Sequence, residues 1–472
     1  MIPETTRFSS LTITLFSALL LSGCGLMPDY HRPETAIPLK WNQQEVSLQG
    51  TNVARSSAPY FNDEKLQQLI KLTIAGNKDL QVSALNLKKV GEQYGADRLS
   101  TLPNIGMTVE KTAAHEPAGI YDTVDTGAVT YHQFDAKLVS ASWEIDFWGR
   151  LRSLKEASLN EYLAAGATSR ALRINLIEQT VSAYFNYLSS REAAEISTQL
   201  LKNKLTEKEM VHQAYLEGAL TQSDVIDADK GADRARSELM AFKLQAQQNY
   251  NALQLLVGQP LPASLFNSVT LSQDWRFTLL QSGLPSDVLL RRPDVVAAEY
   301  ALKAANARIG AARAAFFPSV SITAAGGSTS AELSNLLSAG TASWSFVPSL
   351  NLPIFDGGKN AANLSIAELN KQVEIVNYQK AIQQAFRDVS DALAGQAAMK
   401  ARYGDSEAIY TAAMTQYQMS VMTQTAGQLS TEGLVQKNNE LLEARKQLLE
   451  SRLKYLIQGV KLYSVLGGDS AI

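Results

Sequence analysis

Cysteine is nearly absent: Cys24 is the one thiol in 472 residues. No intrachain disulfide can form, and a single sulfur cannot assemble a thiolate metal site. Histidine is almost as scarce, and His31, His115, His132 and His212 lie too far apart in sequence to give metal-ligand spacing. Charge of one sign is not in excess either. Against 43 Lys and Arg stand 46 Asp and Glu, a net charge of −3 with both signs interspersed, which argues against a nucleic-acid partner. There is no phosphate-cradling glycine loop and no nucleophile elbow; the pair Gly357-Gly358 lacks the strand–glycine–lysine arrangement. The chain is therefore expected to be no enzyme, with no catalytic residue, metal or cofactor. Long apolar runs are missing as well. The stretch from Leu11 to Leu21 is about half of the ~20 residues a membrane-crossing helix needs.

That short run has another use. With Arg7 before it and Ser22 and Gly23 after it, residues 1–23 have the layout of an export signal. Leu21-Ser22-Gly23-Cys24 resembles a bacterial lipobox, which implies that Cys24 begins the mature chain and carries diacylglycerol and an acyl chain such as palmitate. Gly25, in place of the Asp that usually marks inner-membrane retention, resembles outer-membrane sorting. The plainer alternative is an ordinary signal peptide that ends near a buried cysteine.

Proline is missing where helices need it to be. None lies between Pro117 and Pro260, and none follows Pro353. Interior proline costs a helix about 3 kcal/mol, so each run can carry very long helices. The two halves also align. "GADRLSTLPNIGMTVE" (95–110) matches "GAARAAFFPSVSITAA" (310–325), "SWEIDFWGRLRSLKEASL" (142–159) matches "LNLPIFDGGKNAANLSIA" (350–367), and "GALTQSDV" (218–225) matches "GQLSTEGL" (427–434). Such self-similarity reads as a duplication. The expected organisation is an extended anchored segment over 24–62, a first repeat over 63–262, a linker over 263–284 and a second repeat over 285–472. Each repeat holds a helix, a β-hairpin (103–148 or 318–355) and a long helical hairpin (149–257 or 359–466).

The helices show a coiled-coil period. Ile174, Ile177, Val181, Tyr184 and Leu188 step 3-4-3-4, as do Ile375, Tyr378, Ile382, Ala385, Val389 and Ala392. The strands alternate with period two. Ile105, Met107 and Val109 are expected on one face; so are Val139, Ala141, Trp143, Ile145 and Phe147, and Trp344, Phe346, Leu350 and Leu352. A soluble half-buried sheet alternates in the same way. A membrane wall is the other reading, but four strands cannot close a barrel, and lipid does not tolerate open strand edges.

These features together resemble the TolC superfamily of outer-membrane factors, and more closely the lipoprotein OprM and CusC type of tripartite resistance–nodulation–division efflux pumps. The stretches that carry the resemblance are "LSGCGLMPDYHRP" (21–33), "NKDLQVSALN" (77–86), "WEIDFWGRLRS" (143–153), "LLRRPDVVAAE" (289–299), "ARIGAARAAFFPSVSIT" (307–323) and "LPIFDGGKNAANL" (352–364). The resemblance implies an α+β membrane protein and a homotrimer. Four strands per protomer would share one twelve-stranded transmembrane β-barrel, and the long helices one twelve-helix periplasmic α-barrel, with a mixed equatorial region. It implies an exit duct for drugs or other small toxic solutes, served by a periplasmic adaptor and an inner-membrane transporter, with a place in antibiotic resistance. A type I secretion duct and a lipid-anchored, non-channel coiled-coil scaffold are the alternatives.

Function then sits in walls, docking surfaces and a gate. Gly218, Ala219, Leu220 and Thr221, and Gly427, Gln428, Leu429 and Ser430, place a glycine where a helix must reverse and a hydroxyl where the next begins. The resemblance makes these turns the adaptor-docking tips. Asp224 and Asp227 are candidates for a periplasmic gate ring. In the second half Gln436 stands where an Asp is expected, and Glu432 lies nearer the turn. Met414, Met419 and Met422, soft thioethers near the second tip, are more simply gap-fillers than a metal relay.

Overall fold

The computed structural model describes residues 25–34, 60–117, 128–275 and 289–468. The export signal and Cys24 lie outside the described residues, as do most of 24–62 and parts of the 263–284 linker and of the second repeat's start. Among the described residues, seven α-helices and four strands follow in order: α1 (Glu64–Gly76), α2 (Lys78–Leu99), β1 (Ile105–Glu116), β2 (Val129–Ile145), α3 (Arg150–Leu216), α4 (Gln222–Val257), α5 (Pro293–Ala314), β3 (Ser319–Ser330), β4 (Ala342–Asn351), α6 (Lys359–Thr425) and α7 (Thr431–Val465). The helices α3 and α6 have 67 residues each. At 1.5 Å per residue each rises roughly 100 Å. Among the described residues no helix is long and apolar enough to cross a membrane.

One helix was expected before the first hairpin, and two are found. The break falls at Asn77, whose backbone is extended at φ −62° and ψ 130°. Its Oδ1 accepts from Leu80 N at 3.0 Å to cap α2, and its Nδ2 donates to Leu256 O at 2.7 Å. Here the chain passes so close to the end of α4 that a Cβ on Gly76 would stand 2.3 Å from Val257 O.

The chain folds as two compact units, and neither is a sequence repeat. One takes in Asn86–Ala165 and Ala297–Tyr378 with the N-terminal segment up to Glu34; the other takes in Thr35–Leu85, Gly166–Val296 and Gln379–Ile472. Each draws on both halves of the duplication.

The first unit holds a four-stranded antiparallel sheet in the order β1-β2-β3-β4, with the two hairpins joined through β2 and β3. Its register corrects the expected faces of β2. Ser140 pairs with Ala324, but Trp143 pairs with Ile322, so β2 spends one more residue than β3 across this step. The extra residue is a β-bulge with Ser142 in left-handed backbone at φ 48°, its N–H donating to Thr323 Oγ1 at 3.2 Å. Val139 and Trp143 therefore lie on opposite faces. The bulge sets Trp143 and Ile145 beside Leu138, Ala136, Ile105, Met107 and Val109. Val320, Ile322, Phe346, Trp344 and Leu350 continue that face across the register. It is open to the surroundings: Met107 is 69% exposed and Trp344 83%. The other face carries Thr108, Glu110, Lys137, Thr329, Ser343 and Ser345. On it Asp135 accepts from Lys137 Nζ at 2.6 Å and from Gln133 and Thr329 at 2.7 Å each.

The second unit is helical. The predicted seam residues Ile177, Val181, Tyr184 and Leu188 are buried, as are Ile382, Ala385, Val389 and Ala392. Segment 261–275 clasps α3: Leu265 and Trp275 are buried, Tyr184 Oη donates to Leu265 O at 2.8 Å, and Glu192 accepts from Leu271 N.

Candidate functional site

Both tips are built the same way. At the end of α3, Gly218 has φ +76°; its N–H donates to Tyr215 O and the Ala219 N–H to Ala214 O, each at 2.9 Å. At the end of α6, Gly427 has φ +74°; its N–H donates to Gln424 O at 2.8 Å and the Gln428 N–H to Thr423 O at 3.0 Å. This paired pattern is the Schellman motif, which closes a helix on a left-handed residue and favours glycine there. Nothing lies within 4 Å of a Cβ placed on either glycine, so both turns project freely from their helices.

The returning helices start differently. Thr221 caps α4 in a reciprocal capping box with Asp224. Asp224 Oδ2 accepts from the Thr221 N–H and hydroxyl, both at 2.7 Å, and these bonds hold its carboxyl below the ordinary value. Ser430 caps α7 by accepting from Gly433 N at 3.0 Å. With glycine at that third position there is no carboxylate to answer it.

The gate candidates are thus spread among different surroundings. Asp224 is engaged in its own turn. Asp227 is exposed and meets Lys230 at 3.4 Å. Glu432 and Gln436 line a groove of about 800 Å³ between α3, α6 and α7, together with Glu207, Glu440 and Glu443. Among the described residues, none of the four is bonded to another. The pattern T-x-x-D at 221–224 is itself a capping signal legible in the sequence.

Several polar ties near the helical hairpins carried no sequence signal. Asp229 meets Lys208 at 3.0 Å and His212 at 3.2 Å, stapling α3 to α4, and both partners hold its carboxyl down. Asn203 donates to Asn439 at 2.9 Å, and Lys446 meets Glu238 at 2.7 Å, so α7 is tied to both α3 and α4. Near the foot of the sheet, Arg150 grips Glu144 with bonds of 2.8 and 2.5 Å, and Asp146 caps α3 by accepting from Leu151 N and Arg152 N. Asp356 does the same for α6 through Gly358 N and Asn360 N. Among the described residues, no group of His, Cys, Asp and Glu is placed to hold a metal ion.

The described residues thus give a sheet with one exposed apolar face and long helices with projecting turns. Residues 69–259 and 284–468 match the family model described as "Outer membrane efflux protein". The chain belongs to that family. It is 34% identical over 464 residues to the probable efflux pump outer membrane protein TtgC of Pseudomonas putida, covering 97% of this chain and 95% of the relative. The cation efflux system protein CusC of Escherichia coli is 32% identical over 458 residues, covering 96% and 97%. Among solved structures, the open state of the Neisseria gonorrhoeae MtrE outer membrane channel superposes with a TM-score of 0.83 at 31% identity, covering 94% of this chain and 98% of that one.

Outer membrane efflux proteins give the observed faces their meaning. The chain is an outer-membrane exit duct of an efflux pump, reaching into the periplasm. An exposed apolar face with Met107, Leu138, Trp344 and Phe346, opposite a polar face that carries the Asp135 network, is the two-sided pattern of an outer-membrane barrel wall. Lys111 stands over the Phe134 ring, 5.5 Å from its centroid, on the same face beyond Val109.

Proposed function

We propose that three copies of this chain close one barrel and form the exit duct through which a periplasmic adaptor and an inner-membrane transporter discharge small toxic solutes. The observation that carries this reading is an apolar exposed sheet face whose edges at β1 and β4 have no strand partner among the described residues. Unpaired backbone groups are costly in lipid, so such edges must be covered by strands of other copies. Four strands per copy make twelve in a trimer, a size that bacterial outer-membrane barrels include.

In the same reading Cys24 carries lipid, and the Schellman tips at Gly218 and Gly427 receive the adaptor. The relatives' names speak of antibiotic, toluene and cation efflux. One duct architecture thus serves different cargo, and selection lies with the transporter. Purified protein tests the proposal. A heat-labile trimer that conducts ions in planar bilayers supports it; a water-soluble monomer after Cys24→Ala contradicts it.

A further inference from the structure

The sheet sorts its charged residues by face. Glu110, Glu116, Asp135, Lys137 and Glu144 all fall on the polar face by the register. Among the described residues, the apolar face carries no carboxylate on any of the four strands. Its ionisable side chains are Lys111, His115 and His132, all exposed and all at one end. Lys111 pairs with Phe134, Ala113 with His132 and His115 with Thr130, so the three occupy successive outward rows. His115 Nδ1 lies 2.7 Å from Thr130 Oγ1. The opposite end of the same face finishes on Trp143, Ile145, Val320 and Leu350, with no cation.

The rows have a definite height. On β3 the apolar face runs from Val320 to Ser328, eight residue steps or about 26 Å of strand. Tilted by roughly 40°, as barrel strands are, it stands about 20 Å tall, near the ~25 Å apolar band of outer-membrane barrels. Lys111 is one outward row above Ser328, about 5 Å higher, and His132 and His115 follow one and two rows further. Here the second hairpin has already ended, since Phe134 pairs with Ser330, the last residue of β3. Only the ribbon of β1 and β2 continues, to Glu116 and Val129. The chain enters the sheet from α2 at Ile105 and leaves it for α3 after Ile145, so Lys111 lies toward the end remote from both junctions. In a duct that reaches into the periplasm through its helices, that end is the outer one.

We infer that Lys111, His115 and His132 form a binding site for phosphorylated lipid headgroups of the outer leaflet. A lysine at the edge of an apolar band keeps its stem in apolar surroundings and its ammonium among the headgroups. An ammonium is a compact donor to phosphate oxygen, and an imidazole offers an N–H in either protonation state. With no carboxylate on this face to repel it, an anionic headgroup is favoured over a neutral one. The inference rests on the barrel reading, which sets this face against lipid. The site then fixes the depth of the wall, because the lysine cannot follow the apolar rows into hydrocarbon without cost.

Lipid retention by the full-length protein in detergent tests this, counted by native mass spectrometry against hexa-acyl lipid A with both phosphates or with neither. The parent should prefer the phosphorylated lipid by about tenfold or more. Lys111→Gln should cut that preference about fivefold, and Lys111→Gln with His132→Gln should abolish it. Lys243→Gln, which removes an exposed cation from α4, should leave it unchanged. Equal retention of the two lipids by the parent, or the same loss in Lys243→Gln, overturns the site. Release of the bound lipid by millimolar inorganic phosphate also overturns it, since the site would then be one for small anions. Conductance of the same samples in planar bilayers keeps the two readings apart. A conducting parent without phosphate preference sinks the site and leaves the channel. A preference that disappears with Lys111, in a parent that never conducts, supports the site and counts against the channel.

Discussion

Gly218 and Gly427 owe their identity to backbone and not to crowding. Their left-handed φ costs an L-residue about 1–2 kcal/mol, while the space around them is open. Gly218→Val should therefore leave oligomer assembly in the outer membrane intact and abolish drug efflux, because the tip surface changes and the body does not. Unchanged minimal inhibitory concentrations in that variant would remove the docking role. Asp224 gives a second test at this scale. Its folded value is lowered, so the capping box is fully formed above the ordinary Asp range and weakens as pH falls through the depressed value. Amide exchange at residues 222–225 should accelerate in acid in the parent. It should lose that pH step in Asp224→Asn, and the Ser430–Gly433 cap should show no step at all. A matching acid step at the second tip would contradict the assignment.

At the scale of elements, the β2 bulge is decisive. Strict alternation places Trp143 and Ile145 with Val139, across the sheet from Leu138; one extra residue brings them round. Ser142→Val, a β-branched residue that resists φ 48°, should straighten the strand, turn Trp143 and Ile145 toward the polar face and lower recovery of the protein from the outer-membrane fraction. Ser142→Gly should be tolerated, since glycine accepts φ 48° without strain. Equal membrane recovery of Ser142→Val and the parent would show that the faces do not matter.

This element also marks where the sequence was readable. The long helices were legible because a 3-4 seam and missing prolines are local signals, and Tyr184 and Val389 are buried where that seam put them. The tip glycines were legible for the same reason. A bulge has no such signature: Ser140-Ala141-Ser142 alternates like any strand, and only pairing with β3 reveals the extra residue. Likewise the seat of Arg32 on Glu299 joins residues 267 positions apart, and no period in either segment foretells it. Of the gate candidates, Asp224 also serves as a capping carboxylate, and a capping carboxylate and a ring carboxylate look alike in sequence.

For the whole molecule, the duplication explains why the two compact units cut across the repeats. The hairpins of both halves must pair to make one sheet, and among the described residues that sheet still ends in two free edges. Closure by further copies is what those edges demand. The measurement that tests it most directly is the mass of the detergent-solubilised particle, taken with its single-channel conductance in a planar bilayer. Three chains per particle are expected, dissociating on heating, with a conducting pore that disappears with dissociation. A stable single chain, or a trimer that never conducts, would contradict it.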